Sequence, residues 1–281
     1  MRMISSPADI VRVMSLFLLA VAITALAIAM EGFDIVSLSI GIMVVLAGGL
    51  ATIQTRRLIN RLHHHSKRLS KAARKAERHY VSVLRRIVKL VEARDRYCNG
   101  HSNRVGELAG KIARRMGMDS QTCSMMKLAG QLHDIGMLVV PTNVIAERSR
   151  IGVDEFRTVK SHSQIGYEVL RPLKSLEPIL PAIRFHHERM NGTGYPTGLT
   201  GEDIPLTGRI LAVADAFDAM SNDRPHRPGM STRDAISELN RCSPAGYDPN
   251  CVAALAGVYG FEDLLDPKIQ APAPAEAVAL A

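Results

Sequence analysis

Two charge-free runs near the N-terminus constrain this chain more than anything that follows them. Residues 13–30 (VMSLFLLAVAITALAIAM) and 35–53 (IVSLSIGIMVVLAGGLATI) contain no Asp, Glu, Lys or Arg. At ~1.5 Å per residue, each run is about long enough for a helix to cross the ~30 Å of hydrocarbon in a bilayer. Only Glu31-Gly32-Phe33-Asp34 separates them, so the pattern predicts two transmembrane helices closed into a hairpin. A soluble chain would need two such core helices almost back to back, which makes that reading a poor one. Cleavage of a leader is the other bland alternative, since Ala27-Ile28-Ala29 resembles a small-residue cleavage site. The second run would then anchor the chain by itself.

Charge orients the hairpin. The net charge is +8, yet nine of the 35 Lys and Arg residues fall between Arg56 and Arg78, where Glu77 is the only acid. A basic stripe beside a membrane span follows the positive-inside rule, so everything after residue 53 is expected in the cytoplasm, and residues 1–12 with it. That location accounts for the charge without DNA as a partner. The expectation is a multi-pass protein of a bacterial inner membrane with a cytoplasmic C-terminal part. Cys98, Cys123, Cys242 and Cys251 are scattered without a CxxC pair, which argues against a disulfide framework and fits a reduced compartment.

Residues 54–92 read as a basic juxtamembrane helix, because Gly and Pro are absent between Arg56 and Tyr97. Leu62, Leu69, Ala73, Ala76, Tyr80, Val83, Ile87 and Leu90 recur at alternating steps, with Ser66 as the gap. Two parallel helices of a coiled coil would share such a seam, giving a homodimer; a helix packed on its own domain is the alternative. His63-His64-His65 fan out by about 100° per residue and cannot converge on one ion, so they belong to the polar face. From there the chain shows helical patterns at roughly 101–117, 120–137, 153–171, 176–190, 207–222, 231–240 and 249–258, and no convincing alternating strand. An all-α bundle over 93–265 is the expected fold, followed by a disordered Ala/Pro-rich tail at 266–281.

Histidines stand at the ends of these patterns: His101, His133 beside Asp134, His162, and the pair His186-His187. Asp215 interrupts the apolar run Leu211-Ala212-Val213-Ala214-Asp215-Ala216-Phe217. A buried unpaired carboxylate costs on the order of several kcal/mol, so Asp215 should face a cation or a dense hydrogen-bond network. Five imidazoles and two carboxylates, with no thiolate, suit iron, manganese or zinc at two adjacent positions. Asp134 is the natural carboxylate to bridge them.

With these residues in place the sequence resembles the HD superfamily of metal-dependent phosphohydrolases, on His133-Asp134 and the distant Asp215. The run His186-His187-Glu188-Arg189-Met190-Asn191-Gly192-Thr193-Gly194-Tyr195-Pro196 is similar to the signature of its HD-GYP branch. So is Asp215-Ala216-Phe217-Asp218-Ala219-Met220 followed by Arg224-Pro225-His226-Arg227. The likeness covers about 90–260. Members of that branch are bacterial phosphodiesterases that open cyclic di-GMP, often attached to sensor or membrane segments. The resemblance implies a dinuclear iron or manganese centre held by His101, His133, Asp134, His162, His186, His187 and Asp215, with Asp134 as the central catalytic carboxylate. Two cations about 3.5–4 Å apart would acidify a shared water for attack on phosphorus. Arg224 and Arg227 match positions that hold the substrate, and Asp95 is a further candidate contact. The Gly194-Tyr195-Pro196 loop matches a surface implicated in contacts with diguanylate cyclase (GGDEF) domains; a purely structural turn is the alternative. Gly192 and Gly194 are expected to adopt backbone angles closed to other residues.

Two departures bear on activity. Tyr97 stands where members with a third metal carry Glu, so two metals are expected. Met137 stands where the family usually has Lys, and a thioether offers neither charge nor proton. An active cyclic di-GMP phosphodiesterase is the leading reading. A weakly active or inactive domain serving as sensor or interaction module is the second. Hydrolysis of another nucleotide, such as a hybrid cyclic dinucleotide, is the third.

Overall fold

The computed structural model describes residues 35–94, 99–142, 144, 152–224 and 227–265, with scattered positions between 17 and 29. Asp95, Tyr97 and the 266–281 tail lie outside the described residues, as does most of the first apolar run. The chain divides into two units, 1–76 and 77–281. All the regular structure described is helical; the only pairings of β type among the described residues are the isolated bridges Asn191–Thr200 and Arg224–Arg227.

Helix α1, Ile35–Glu92, is 58 residues long. Its first part is apolar with a mean hydropathy of 1.8 over its best 18-residue window, and none of that window is buried. Ile35, Met43 and Leu46 are 81%, 67% and 68% exposed, a distribution that water would oppose and lipid would not. His63, His64 and His65 are exposed, as the polar-face reading requires.

Nearer its end α1 carries two apolar stripes. Val81, Leu84, Ile87, Val88 and Val91 pack on the bundle. Leu62, Leu69, Tyr80, Val83 and Leu90, members of the seam read from the sequence, stay exposed. Ile87, also read as part of the seam, packs on the bundle, while these other seam residues face away from it.

The second unit contains α2 (His101–Arg115), α3 (Ser120–Leu132), α4 (Val153–Lys160), α5 (His162–Leu170), α6 (Leu180–Phe185), α7 (Leu206–Ser221), α8 (Thr232–Arg241) and α9 (Pro249–Tyr259). Short 3-10 stretches at His133–Val139 and Lys174–Ile179 complete the frame. Ile112, Leu132, Ile183, Ile210, Leu211 and Leu255 are fully buried at its centre. Helix starts follow local chemistry. The Asp119 carboxylate accepts from the Gln121 and Thr122 amides at 2.7 and 3.0 Å, and Asp248 caps α9 with Pro249 in the first turn.

Three expected helices are shorter than their periodicity suggests. The 120–137 pattern stops being α-helical at Leu132, 153–171 breaks at Ser161, and 176–190 keeps only Leu180–Phe185 as α-helix. In each case a histidine side chain takes the carbonyl three residues back. His133 Nδ1 lies 2.9 Å from the Gly130 carbonyl, His162 Nδ1 2.7 Å from Val159, and His186 Nδ1 2.8 Å from Ile183. In a continuing helix that carbonyl would receive the amide of the residue after the histidine, so the ring displaces the backbone donor and stops the helix.

The end of α1 is tied into the bundle at three points. The Glu92 carboxylate, 7% exposed, accepts from the Ser102 amide at 2.5 Å, so it caps α2. Val91 packs with Met137, Val140 and Val144 in a small separate cluster. The Arg94 guanidinium donates to the carbonyls of Met137 at 3.4 Å and Val140 at 2.6 Å.

Candidate metal centre

All seven residues expected as ligands converge. His101, His133 and Asp215 offer donor atoms within 4.8 Å of one another; so do His133, Asp134 and His186, and so do His162, His186 and His187. The five rings form one chain of contacts, with centroids 5.3 Å apart for His101–His133, 5.1 Å for His133–His186, 4.9 Å for His162–His187 and 4.1 Å for His186–His187. The Asp134 carboxylate lies among them, 3.3 Å from His133 Nε2, 3.6 Å from His162 Nε2 and 3.8 Å from His101 Nε2. Asp215 approaches His101 Nε2 at 3.2 Å and His133 Nε2 at 3.8 Å.

The helix stops also fix the chemistry of the rings. A carbonyl oxygen can only accept, so Nδ1 of His133, His162 and His186 must carry the proton, and each Nε2 is left to face inward as a lone-pair donor. Gly136 lets this happen in a small space: a Cβ there would collide with the His162 carbonyl, so only glycine allows His133–Val139 to lie against α5. Burial, joined by the charges of His133 and His162, pushes His186 down to about 3; burial and the neighbouring rings hold His187 well below its usual range. Both are neutral, the form in which imidazole binds a metal. His101 goes the other way. Burial would lower it, but hydrogen bonds from Asp215 and Asp218 outweigh this and raise it to about 10. Asp134 and Asp215 stay below the ordinary carboxylate range: burial alone would raise them, and the surrounding histidines reverse it.

This donor set fits divalent metal. Without cations, two carboxylates and five imidazoles would crowd a partly buried space with no apolar filling and no thiolate.

The substrate candidates fare differently. Asp95 lies outside the described residues, as do Arg148 and Arg150, loop cations that could stand in for the missing lysine. Arg224 and Arg227 close a tight turn through paired backbone bonds of 2.8 and 3.1 Å. The Arg227 guanidinium donates to the Ala219 and Met220 carbonyls at 3.1 and 3.2 Å, so it is engaged at the end of α7. Met137 is 9% exposed and packs in the cluster with Val91. Four residues after His133, it would share the His133 face only if the α-helix continued. In the 3-10 stretch the period is about three, so Met137 shares its edge with Asp134 instead.

The loop at 194–196 is built inward. Tyr195 stacks on His187 at 4.7 Å, and burial raises its phenol further from ionisation. Gly192 has the expected positive φ of 79°, but Gly194 does not; it is needed because a Cβ there would strike the His187–Arg189 backbone. Glu188 was quoted in the motif without a role. It is 2% exposed and accepts from the amides of Thr197, Gly198 and Leu199 and from the Thr197 hydroxyl, at 2.8–3.1 Å. Asp218, also without a role, meets His101 Nδ1 at 2.7 Å. The signal for it was there: a second carboxylate three positions after Asp215 on the same apolar helix.

Comparison with known proteins agrees with this geometry. Residues 85–251 match the model of the HD domain family. The cyclic di-GMP phosphodiesterase response regulator RpfG of Xanthomonas campestris is 35% identical over 67% of this chain and 50% of its own length. The 3'3'-cGAMP-specific phosphodiesterase 3 of Vibrio cholerae is 34% identical over 59% of this chain and 36% of its own. The chain thus spans half or less of the length of these relatives. In fold it is similar to a crystal structure of a cyclic GMP-AMP-specific phosphodiesterase from Vibrio cholerae, with a TM-score of 0.51 and 19% identity over 67% of this chain and 49% of that one. The chain belongs to the HD domain family, in its HD-GYP branch.

Proposed function

We propose that this protein is a membrane-anchored, metal-dependent phosphodiesterase that hydrolyses cyclic di-GMP to the linear dinucleotide or GMP. The observation that carries the reading is the convergence of His101, His133, Asp134, His162, His186, His187 and Asp215, with three Nε2 atoms fixed inward by their own backbone. Two divalent ions, iron or manganese, would be held by His101, His133 and Asp215 on one side and His162, His186 and His187 on the other, with Asp134 between. Bound there, they would supply Lewis acidity toward water and phosphate oxygens. The chain's own residues orient and insulate the reaction. The buried imidazoles keep the ligand geometry from relaxing, and Tyr195 walls the His187 side. Arg224, in the turn after α7, would hold phosphate or guanine; a guanidinium suits both.

The exposed apolar start of α1 supports an inner-membrane anchor, and the run at 13–30 would complete the hairpin. The outward seam of α1 supports a homodimer. Exposed Pro196 leaves the loop a surface for a GGDEF-domain partner, although Tyr195 is turned inward. Reporter fusions after Arg57 and at the C-terminus should both read cytoplasmic; an external signal from either sinks the hairpin.

A second reading, a nucleotide sensor with little turnover, rests on Met137, an apolar side chain on the Asp134 edge where a cation would serve the leaving group. The full chain, loaded anaerobically with iron or manganese, should cleave cyclic di-GMP when products are separated by chromatography. Tight binding without cleavage selects the sensor reading. Faster cleavage of 3'3'-cGAMP would assign the site to a hybrid dinucleotide.

A further inference from the structure

His101 differs from the other anchored histidines in where its second nitrogen goes. His133 and His186 each follow the end of a helix, His162 follows the break at Ser161, and all three find a carbonyl three residues back. His101 begins α2, so its own helix has no preceding turn to offer. Its Nδ1 instead meets a carboxylate oxygen of Asp218, from α7, at 2.7 Å. Asp218 is 5% exposed and is itself held on several sides. Arg104, one turn along α2 from His101, donates through Nε to Oδ1 at 2.7 Å and through a terminal nitrogen to Oδ2 at 3.0 Å. The Asn222 amide donates to Oδ1 at 3.1 Å. The carboxylate therefore has little freedom to turn, and neither does the ring it holds.

We propose that Asp218 is a positioning residue that fixes the tautomer and ring orientation of His101 and thereby sets the metal affinity of the His101–His133–Asp215 position, independently of the His162–His186–His187 position. The inference rests on the metal-centre reading above. An ionised carboxylate only accepts, so Nδ1 keeps its proton toward Asp218, and Nε2, 3.2 Å from Asp215, is the nitrogen a metal would take by displacing its proton. A charged acceptor behind an imidazole also makes it a stronger ligand than a carbonyl does. Of the histidines with an anchored Nδ1, His101 alone among the described residues depends on a side chain from another helix, so its half of the centre can be weakened without touching the other.

The test is metal titration of the full chain in detergent against a competing chelator, with manganese and with zinc, and elemental analysis after dialysis. Asp218→Asn keeps an accepting oxygen but loses the charge; Asp218→Ala loses both. The Ala variant should weaken one of two positions by about 10–100-fold and leave the other unchanged, with Asn between Ala and wild type. The graded order is what a purely structural role would not produce. Equal weakening of both positions, or no change in either, with the helical circular dichroism intact, overturns the proposal. If Ala does not fold, the nearly isosteric Asn variant decides. A wild type that binds two metals yet leaves cyclic di-GMP uncut would defeat the functional reading and leave this one standing.

Discussion

The two halves of the candidate centre are built by different means. His162, His186 and His187 are rings packed against one another, and two of them are anchored by carbonyls three residues back in the chain. His101 and Asp215 form a charged pair between α2 and α7, steadied by Asp218 and Arg104. One half joins α5 to the end of α6, elements about two dozen residues apart. The other exists only when two helices far apart in sequence have docked. A chain in which α5 has met α6 before α2 meets α7 would therefore hold one half of the centre and lack the other.

Asp134 is the residue common to both halves, and its loss should have the largest effect. Asp134→Ala is expected to reduce bound metal from about two per chain toward one or none, and to lower turnover by about 10³-fold or more. Unchanged metal content in a folded variant would show that the halves do not share it. Next in size is Glu188, which supports the half with His186 and His187 from behind. Glu188→Ala removes a buried acceptor from three amides, so it should destabilise the fold by about 3 kcal/mol in chemical denaturation. A loss under 1 kcal/mol would mean that water replaces the carboxylate.

Met137→Lys asks whether the Asp134 edge lacks a cation. Single-turnover cleavage at equal metal occupancy should rise by about tenfold or more, with less effect on binding, because charge grows at the leaving oxygen in the transition state. No gain would mean that another group already serves there. A last comparison separates the halves by pH in the metal-free chain. His186 and His187 stay neutral when folded but take up protons when unfolded, so stability should fall as pH drops below about 6.5, for His186 down to about 3. His101 contributes in the opposite sense: its stabilisation is complete below about 6.5 and is lost as pH rises toward 10. Melting curves across both ranges check the two signs; a flat acid limb would contradict the neutral pair.

The ligand set was legible because its residue types are costly to bury: a carboxylate within Leu211–Phe217 and histidines at the ends of apolar patterns ask for partners. Helix periodicity located α2, α7, α8 and α9 to within about two residues. It failed at Leu132, Ser161 and Phe185, since a helix stopped by an imidazole has no Gly or Pro to announce it. The 3-10 period after His133 moved Met137 from one edge to another for the same reason. Asp218 shows as a second carboxylate on an apolar helix, but its partners His101 and Arg104 lie more than a hundred residues away, and spacing carries no signal for that pairing. On α1 the seam was legible, but the second stripe at Val81, Leu84, Val88 and Val91 becomes visible only once the bundle it covers is in place.

The attachments of the last turn of α1 have a thermodynamic corollary. Glu92 holds the start of the helix that carries His101, while Val91 and Arg94 hold the stretch that follows Asp134. Any free energy with which a displacement of that turn alters ligand affinity is returned, equal in size, when ligand binds. Occupancy of the site is thus written back onto the last turn of α1, so whatever displaces that turn is itself displaced by ligand.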